Sequence, residues 1–561
     1  MTRLILVSAG LTAVLFTSQT QGIPRAGFAA REATPLPCDA ASFAPFLPPE
    51  AAIENVVSVP DGGSYGEGVT INDAYPWIPT GLPALCAVTV RVTTSPSSVF
   101  RFGLFLPSAE QWKERFLAVG NGGFAGGINW VDMAPGPHFG MASVSTDTGH
   151  NSTVGDTSWA FDNPERQADW GWRAMHGTVT LGKALTEAYY SRAICFSYYR
   201  GCSTGGRQGL REIMHSPASF DGVVVGAPAW WTTRIHNFIT RTGMLNLPAS
   251  SSSYISPTLF PLIASHVLSQ CDALDGVSDD IISSPSLCTP DLTPLLCPAI
   301  PTTACLTASQ ITTAAAIYAP YTPSTDPSTF YYPGFLPSSE VGWSTLLGGP
   351  SDPSPLGTAY QRGFLLSDPS WPWQDYNDTL VPLADAADPG AANAANVSAL
   401  AEYAARGGKL LLYHGLADAV VPPGGSELLR ARVVDEAFGG DAEAVAEWFA
   451  MLMVPGMEHC RGCAEGTAAP WNMGGATQAA AMGVGEWSVP GYRDAEHDVL
   501  LAMVEWVEAG RKVEGVVATA WKERWNASSG VARQRVVCAW PREASWDGVG
   551  REEEPGSWGC V

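Results

Sequence analysis

Positive charge is scarce in this sequence. Lys and Arg number 31 against 54 Asp and Glu, which leaves a formal charge of -23. No basic patch is available to neutralise phosphates, and a nucleic-acid partner is therefore not expected. Long apolar runs are also lacking. Beyond the first residues nothing approaches the roughly 18 apolar residues of a membrane span, so no membrane partner is expected either. Histidine is sparse, nine in 561 residues, so each one beside a chemical motif is informative. There is no internal repeat. The low charged fraction of 15% sits beside 46% hydrophobic residues, a globular balance that excludes wholesale disorder. This length holds one large domain with an insertion, or two to three ordinary domains.

The first residues read as a leader peptide over 1–22. Arg3 is a positive start, Leu4 to Phe16 an apolar stretch too short to span a bilayer comfortably, and small or polar residues follow to Gly22. Twelve cysteines and the N-x-S/T sequons at Asn151, Asn377, Asn396 and Asn526 agree with an oxidising, glycosylating export route. The mature chain is expected to be secreted and extracellular.

Short apolar segments alternate with helical periodicity from about residue 100 to 229. Arg101–Leu106, Arg115–Val119, Gly140–Ser145, Ile194–Tyr199 and Gly222–Val225 read as strands, and Trp172–Tyr190 as a helix. That alternation predicts an α/β fold with a parallel sheet covered on both faces. From about 230 to 400 the chain turns rich in Pro, Ser, Thr and Ala with weak periodicity. Such a stretch is too long for a loop in a compact domain and reads as an inserted domain. Strands resume at Lys409–Tyr413 and Trp448–Val454, and an amphipathic helix follows over His497–Glu508. The organisation is therefore 23–229 as the first part of a core, 230–400 as an insertion and 401–561 as the second part.

The most informative residues are Gly201-Cys202-Ser203-Thr204-Gly205-Gly206. They match G-x-S-x-G between an expected strand and an expected helix, the setting that lifts a serine hydroxyl clear of a sheet. A serine needs a base to take its proton and an acid to orient that base. In the α/β-hydrolase chain order the acid comes next and the histidine last. Asp418 lies just beyond Lys409–Tyr413 and His459 just beyond Trp448–Val454, both at strand carboxyl ends. His414 is the rival base, but it precedes Asp418 in the same loop. Glu458 is the rival acid, but it adjoins His459 and is expected to point away. Oxyanion donors are expected from the Thr204 amide and from the loop 120–127, with Gly122 and Gly123 unobstructed by side chains. If Ser203 and His459 meet, the adjoining Cys202 and Cys460 come within disulfide range, Cα atoms roughly 4.4–6.8 Å apart.

These residues resemble the tannase and feruloyl esterase family of fungi and bacteria. The likeness rests on Cys-Ser, Asp and His-Cys together with Gly-Asn-Gly-Gly-Phe-Ala-Gly at 120–126 and Gly-Cys-Ser-Thr-Gly-Gly-Arg-Gln at 201–208. It runs from about Cys38 to Cys560. It implies an α/β-hydrolase core, a large inserted lid and hydrolysis of phenolic acid esters. It also implies a structural calcium ion in the lid, held by Asp272, Asp275 and Asp279 side chains and the Val277 and Ile281 carbonyls, with no organic cofactor. Read from its residues alone, that stretch is an acidic turn, not an EF-hand, and leaves a metal open. The family pattern further implies the bridges Cys38–Cys86, Cys202–Cys460, Cys271–Cys288, Cys297–Cys305 and Cys538–Cys560. Cys195 and Cys463 remain, and a sixth bridge between them is a plausible departure from that pattern.

The expected activity is that of a serine carboxylic ester hydrolase acting on small phenolic esters, or on such esters carried by plant polysaccharides or tannins. The feruloyl type leads and a tannase is the close alternative. Trp230, Trp231, Trp343, Trp371 and Trp373 are candidates to stack on the phenolic ring, or to be ordinary lid core. A non-catalytic wall-binding protein on the same scaffold would usually have lost the serine or the histidine. Both are present.

Overall fold

A computed structural model of the chain describes residues 35–66, 74–299, 304–483 and 488–561; the expected leader, 1–22, lies outside them. Nine strands form the main sheet: β1 (Ala51–Val59), β2 (Leu85–Ser95), β3 (Ser98–Pro107), β4 (Arg115–Val119), β5 (Met141–Thr146), β6 (Phe196–Cys202), β7 (Gly222–Gly226), β8 (Lys409–Gly415) and β9 (Phe449–Val454). Their spatial order is β1-β2-β3-β5-β4-β6-β7-β8-β9. The first three pair antiparallel, β3 meets β5 antiparallel, and every later pairing is parallel.

Side chains alternate across a strand, and here both faces are apolar because both are covered. Leu117, Val224, Leu411 and Leu452 face a core closed by Leu500 and Met503 of the helix Val499–Ala509. Phe116, Val223, Leu410 and Met451 face the opposite core, closed by Met175 and Val179 of the helix Ala174–Tyr190 and by Leu210 and Ile213 of the helix Thr204–His215. This is an α/β-hydrolase core. The hairpin β10 (Gly515–Glu523) and β11 (Asn526–Cys538) packs beside it. None of the described helices is long and apolar enough to cross a membrane.

Between β7 and β8 the chain builds a further apolar cluster from Ile235, Phe238, Ile263, Val267, Tyr332 and Trp343. Four of the five tryptophans considered for ring stacking are buried in packing: Trp230, Trp343, Trp371 and Trp373. Trp231 is half-buried beneath the Arg234 guanidinium at 4.0 Å. Of the two roles the sequence leaves open for these tryptophans, ring stacking or ordinary lid core, the four buried ones take the second.

The five disulfides implied by the resemblance are all formed. The sixth is not. Cys195 is an exposed thiol and Cys463 a buried one. Cys195 precedes β6, whereas Cys463 follows the loop beyond β9. A strand rises about 3.3 Å per residue, so the length of the sheet separates these ends.

Candidate active site

Ser203 sits between the last residue of β6 and the first of the helix Thr204–His215, with φ 61° and ψ -123°. A side-chain-bearing residue is strained there, and the turn holds because glycine clears the space around it. A methyl group at Gly201 would lie 2.6 Å from the Gly205 carbonyl carbon, and one at Gly205 would lie 2.9 Å from the Asn121 carbonyl oxygen. The Ser203 amide donates to the Gly226 carbonyl at 2.9 Å, anchoring the turn to β7.

Asp418 is fully buried in the loop after β8 and its carboxylate is saturated. Oδ1 accepts the Val420 and Val421 amides at 2.7 and 2.9 Å. Oδ2 accepts Nδ1 of His459 at 2.6 Å and Nε2 of His414 at 3.2 Å. Burial pushes this carboxyl up, but the positive charge of His459 and the hydrogen bonds from both imidazoles outweigh it and hold it well below the usual range. With Nδ1 of His459 committed to Asp418, Nε2 is the nitrogen left for proton transfer.

His414, weighed from the sequence only as a rival base, has a different place. It is completely buried, with Nε2 also against the Val421 carbonyl at 2.9 Å and Nδ1 against the Ser426 hydroxyl at 2.7 Å. A carbonyl only accepts, which puts the proton on Nε2 and leaves Nδ1 to accept from Ser426. His414 therefore braces Asp418 from behind. Glu458 turns away from His459 and pairs with Arg524.

Cys202 and Cys460 are bonded, Cα to Cα 6.3 Å, and a ring nitrogen of His459 lies within 4.8 Å of their sulfurs. The bridge ties the residue before Ser203 to the residue after His459 across 258 positions of chain. In the chain-entropy account such a loop is worth about 5 kcal/mol, a model-dependent figure.

The glycine loop lies against this elbow. Its Gly120 and Asn121 amides are taken up by the Arg200 carbonyl and the Gln208 side chain. Gly122, expected to present a bare amide, donates instead to the Tyr75 hydroxyl at 2.8 Å. Tyr75 had no signal in the sequence, being remote from every motif. Gly123 has φ 52°, and Thr204 opens its helix, where the first amides have no partner within the helix.

Two histidines with no motif around them pack against this loop, and His236 joins it to the segment between β7 and β8. His236 is sandwiched between Phe124 and Tyr360 at centroid distances of 4.7 and 4.8 Å, with Nδ1 donating to the Leu356 carbonyl. His150 stacks on Trp159 at 3.7 Å and its Nε2 meets the Phe124 carbonyl. Burial pushes both down to about 4. Unfolded, each would titrate near about 6.5. The stability they contribute as neutral groups is present above that value and is lost as the pH falls from 6.5 through 4, roughly 3 kcal/mol apiece. Glu340 runs the other way, because burial pushes its carboxyl up to about 7 despite the hydrogen bond from Tyr318 and the Ser338 amide. The difference between variants is therefore the reading. His236→Phe should lose stability at pH 7 but fall less steeply than wild type between pH 6.5 and 4 in urea unfolding. Parallel profiles would show that His236 does not titrate on unfolding.

The acidic turn also has a defined geometry. Asp272 Oδ1 accepts the Asp279 and Ile281 amides, both at 3.2 Å, and Asp275 Oδ1 accepts the Val277 amide at 3.0 Å. Asp279 Oδ2 takes Arg533 at 2.6 Å and also Arg535, both on β11. Asp275 Oδ2 and Asp279 Oδ1 are buried without a hydrogen-bond partner. All-oxygen donors with orphaned carboxylate atoms fit a hard divalent cation. Remote from His459 in sequence, the turn is close to its loop in space: a methyl group at Gly456 would meet Ile281 Cγ2 at 3.3 Å.

Comparison with known proteins shows the family. The family model for tannase and feruloyl esterase matches residues 86–358 and 373–561. The chain belongs to that family. It is 34% identical over 482 residues to a probable feruloyl esterase B-2 of Aspergillus terreus, covering 85% of this chain and 86% of the relative. A probable feruloyl esterase B-1 of Aspergillus flavus is also 34% identical, over 484 residues. Among solved structures, an esterase from Aspergillus oryzae superposes with a TM-score of 0.83 at 30% identity, covering 93% of this chain and 99% of that one. Feruloyl esterase B from Aspergillus oryzae superposes at 0.82 and 28%, covering 93% and 100%. As a family member the chain is a carboxylic ester hydrolase of phenolic esters.

Proposed function

We propose that this family member is a secreted serine esterase of the feruloyl type, cleaving hydroxycinnamate esters of plant cell walls. The observation that carries the reading is the linkage of Ser203, on its strained elbow, through the Cys202–Cys460 bridge to His459, whose Nδ1 lies 2.6 Å from Asp418. Ser203 Oγ attacks the ester carbonyl while Nε2 of His459 takes its proton, and Asp418 holds the imidazole and the charge it acquires. The Thr204 amide, at a helix N-terminus, and the Gly122–Gly123 amides stabilise the oxyanion, with Tyr75 yielding or sharing its hydrogen bond from Gly122. His459 then returns the proton to the leaving alcohol, and water releases the acid by the same route.

Secretion is supported by the five disulfides and by the exposure of Asn151, Asn377, Asn396 and Asn526. Calcium would be held by Asp272, Asp275 and Asp279 with the Val277 and Ile281 carbonyls, supplying a fixed positive charge that locks the turn. Chelation is expected to lower the thermal midpoint by several degrees, and added calcium to restore it. An unchanged midpoint would count against the ion.

The substrate reading is tested on methyl ferulate and methyl gallate in parallel. Ferulate hydrolysis well above gallate is expected, in keeping with the names of the curated relatives. Gallate alone would move the assignment to a tannase, and turnover of neither would overturn the substrate class.

A further inference from the structure

Exposed apolar side chains scattered singly need no explanation, but a contiguous group of them marks an interaction site or a ligand-binding groove. Trp77 is 65% exposed and Trp525 is 42% exposed, and both line one open groove of about 530 Å³. Its walls come from segments that also build the candidate active site. Trp77 lies two residues beyond Tyr75, whose hydroxyl accepts the Gly122 amide. Val131 lies in the short helix Trp130–Met133, tied back to the glycine loop by Asn129 Nδ2 donating to the Gly120 carbonyl at 3.1 Å. Arg461 follows Cys460 directly and is held by the Thr477 carbonyl at 3.3 Å. The Trp525 ring lies over Gly462, where a methyl group would come within 2.7 Å of it.

Position decides which part of an ester belongs here. The histidine that returns a proton to the leaving alkoxide must face it, so the alcohol half lies on the His459 side. The groove begins two residues past His459. Among the described residues its lining is two indoles, apolar side chains of which Ile78 is the largest, the Thr80 side chain and one guanidinium already engaged, with no carboxylate. Flat aromatic faces of this kind suit the C–H faces of a sugar ring, and hydroxyls at the ring edge stay in water.

We propose that this groove binds the sugar residues of the alcohol moiety, with Trp77 and Trp525 as specificity-determining platforms. The inference rests on the reading of Ser203 and His459 given above. It is tested with ferulate esterified to an arabino-oligosaccharide against methyl ferulate. Trp77→Ala and Trp525→Ala should each lower kcat/KM on the sugar ester about tenfold and leave the methyl ester within about twofold. Trp77→Tyr, which keeps an aromatic face, should recover most of the loss. Equal losses on both esters, or no loss on either, would overturn the proposal. Unesterified arabinoxylo-oligosaccharide titrated into Ser203→Ala and followed by tryptophan fluorescence separates the two readings. Binding that Trp77→Ala abolishes upholds the groove even if no ester is turned over, and absence of binding overturns it even if methyl ferulate is a good substrate.

Discussion

Replacing Ser203 with alanine is expected to lower kcat on methyl ferulate by about 10⁵-fold or more, because nucleophile and base act as a unit. Substrate binding and the oxyanion donors survive the change, so KM should move little and a residual rate above water should persist. Alanine keeps the Cβ and therefore the strained φ of 61°, and the thermal midpoint should stay near wild type. Glycine at the same position removes the Cβ and should stabilise the fold by about 1 kcal/mol while being equally inactive. That pairing separates chemistry from folding: a more stable, inactive glycine variant is what a strained nucleophile elbow requires. Wild-type turnover by Ser203→Ala would remove Ser203 from the reaction.

Asp418→Asn should lower kcat by roughly 10³- to 10⁴-fold with the fold intact. The carboxylate accepts four N–H groups, two on each oxygen. An amide offers one oxygen and one NH₂. If the NH₂ takes the Oδ1 position it confronts the Val420 and Val421 amides. If it takes the Oδ2 position it confronts two imidazoles, and His459 must move its proton to Nε2 to accept from it. That tautomer cannot take a proton from Ser203. His414→Gln is the companion measurement. As a positioning residue, His414 should affect kcat far less than Asp418, with KM nearly unchanged, and an effect as large as that of Asp418→Asn would make His414 part of the reaction itself.

Much of the core was readable in the chain because its signals are local. Arg115–Val119 is a strand at the bounds of its short apolar run, and β6, the Ser203 turn and its helix follow one another without interruption. The antiparallel strands β1 and β2 and the hairpin β10–β11 were not anticipated: β1 is an edge strand and β11 is half-exposed, which weakens their pattern, whereas β2 and β10 are largely buried and their apolar runs were legible.

What the sequence determined by itself, then, is what lies within a few residues of a strand end: the elbow glycines, the loop acid Asp418, and the histidine flanked by Cys460. The tertiary structure decided the contacts between distant segments. It set His414 behind Asp418, put the Tyr75 hydroxyl on the Gly122 amide, packed four of the lid tryptophans away, and brought Ile281 against the His459 loop. It also kept Cys195 and Cys463 apart. The physical reason is that strand and turn propensities act over one or two turns of chain. Partner choice depends instead on which faces of an open, nine-stranded sheet and its insertion meet, and no local period encodes that.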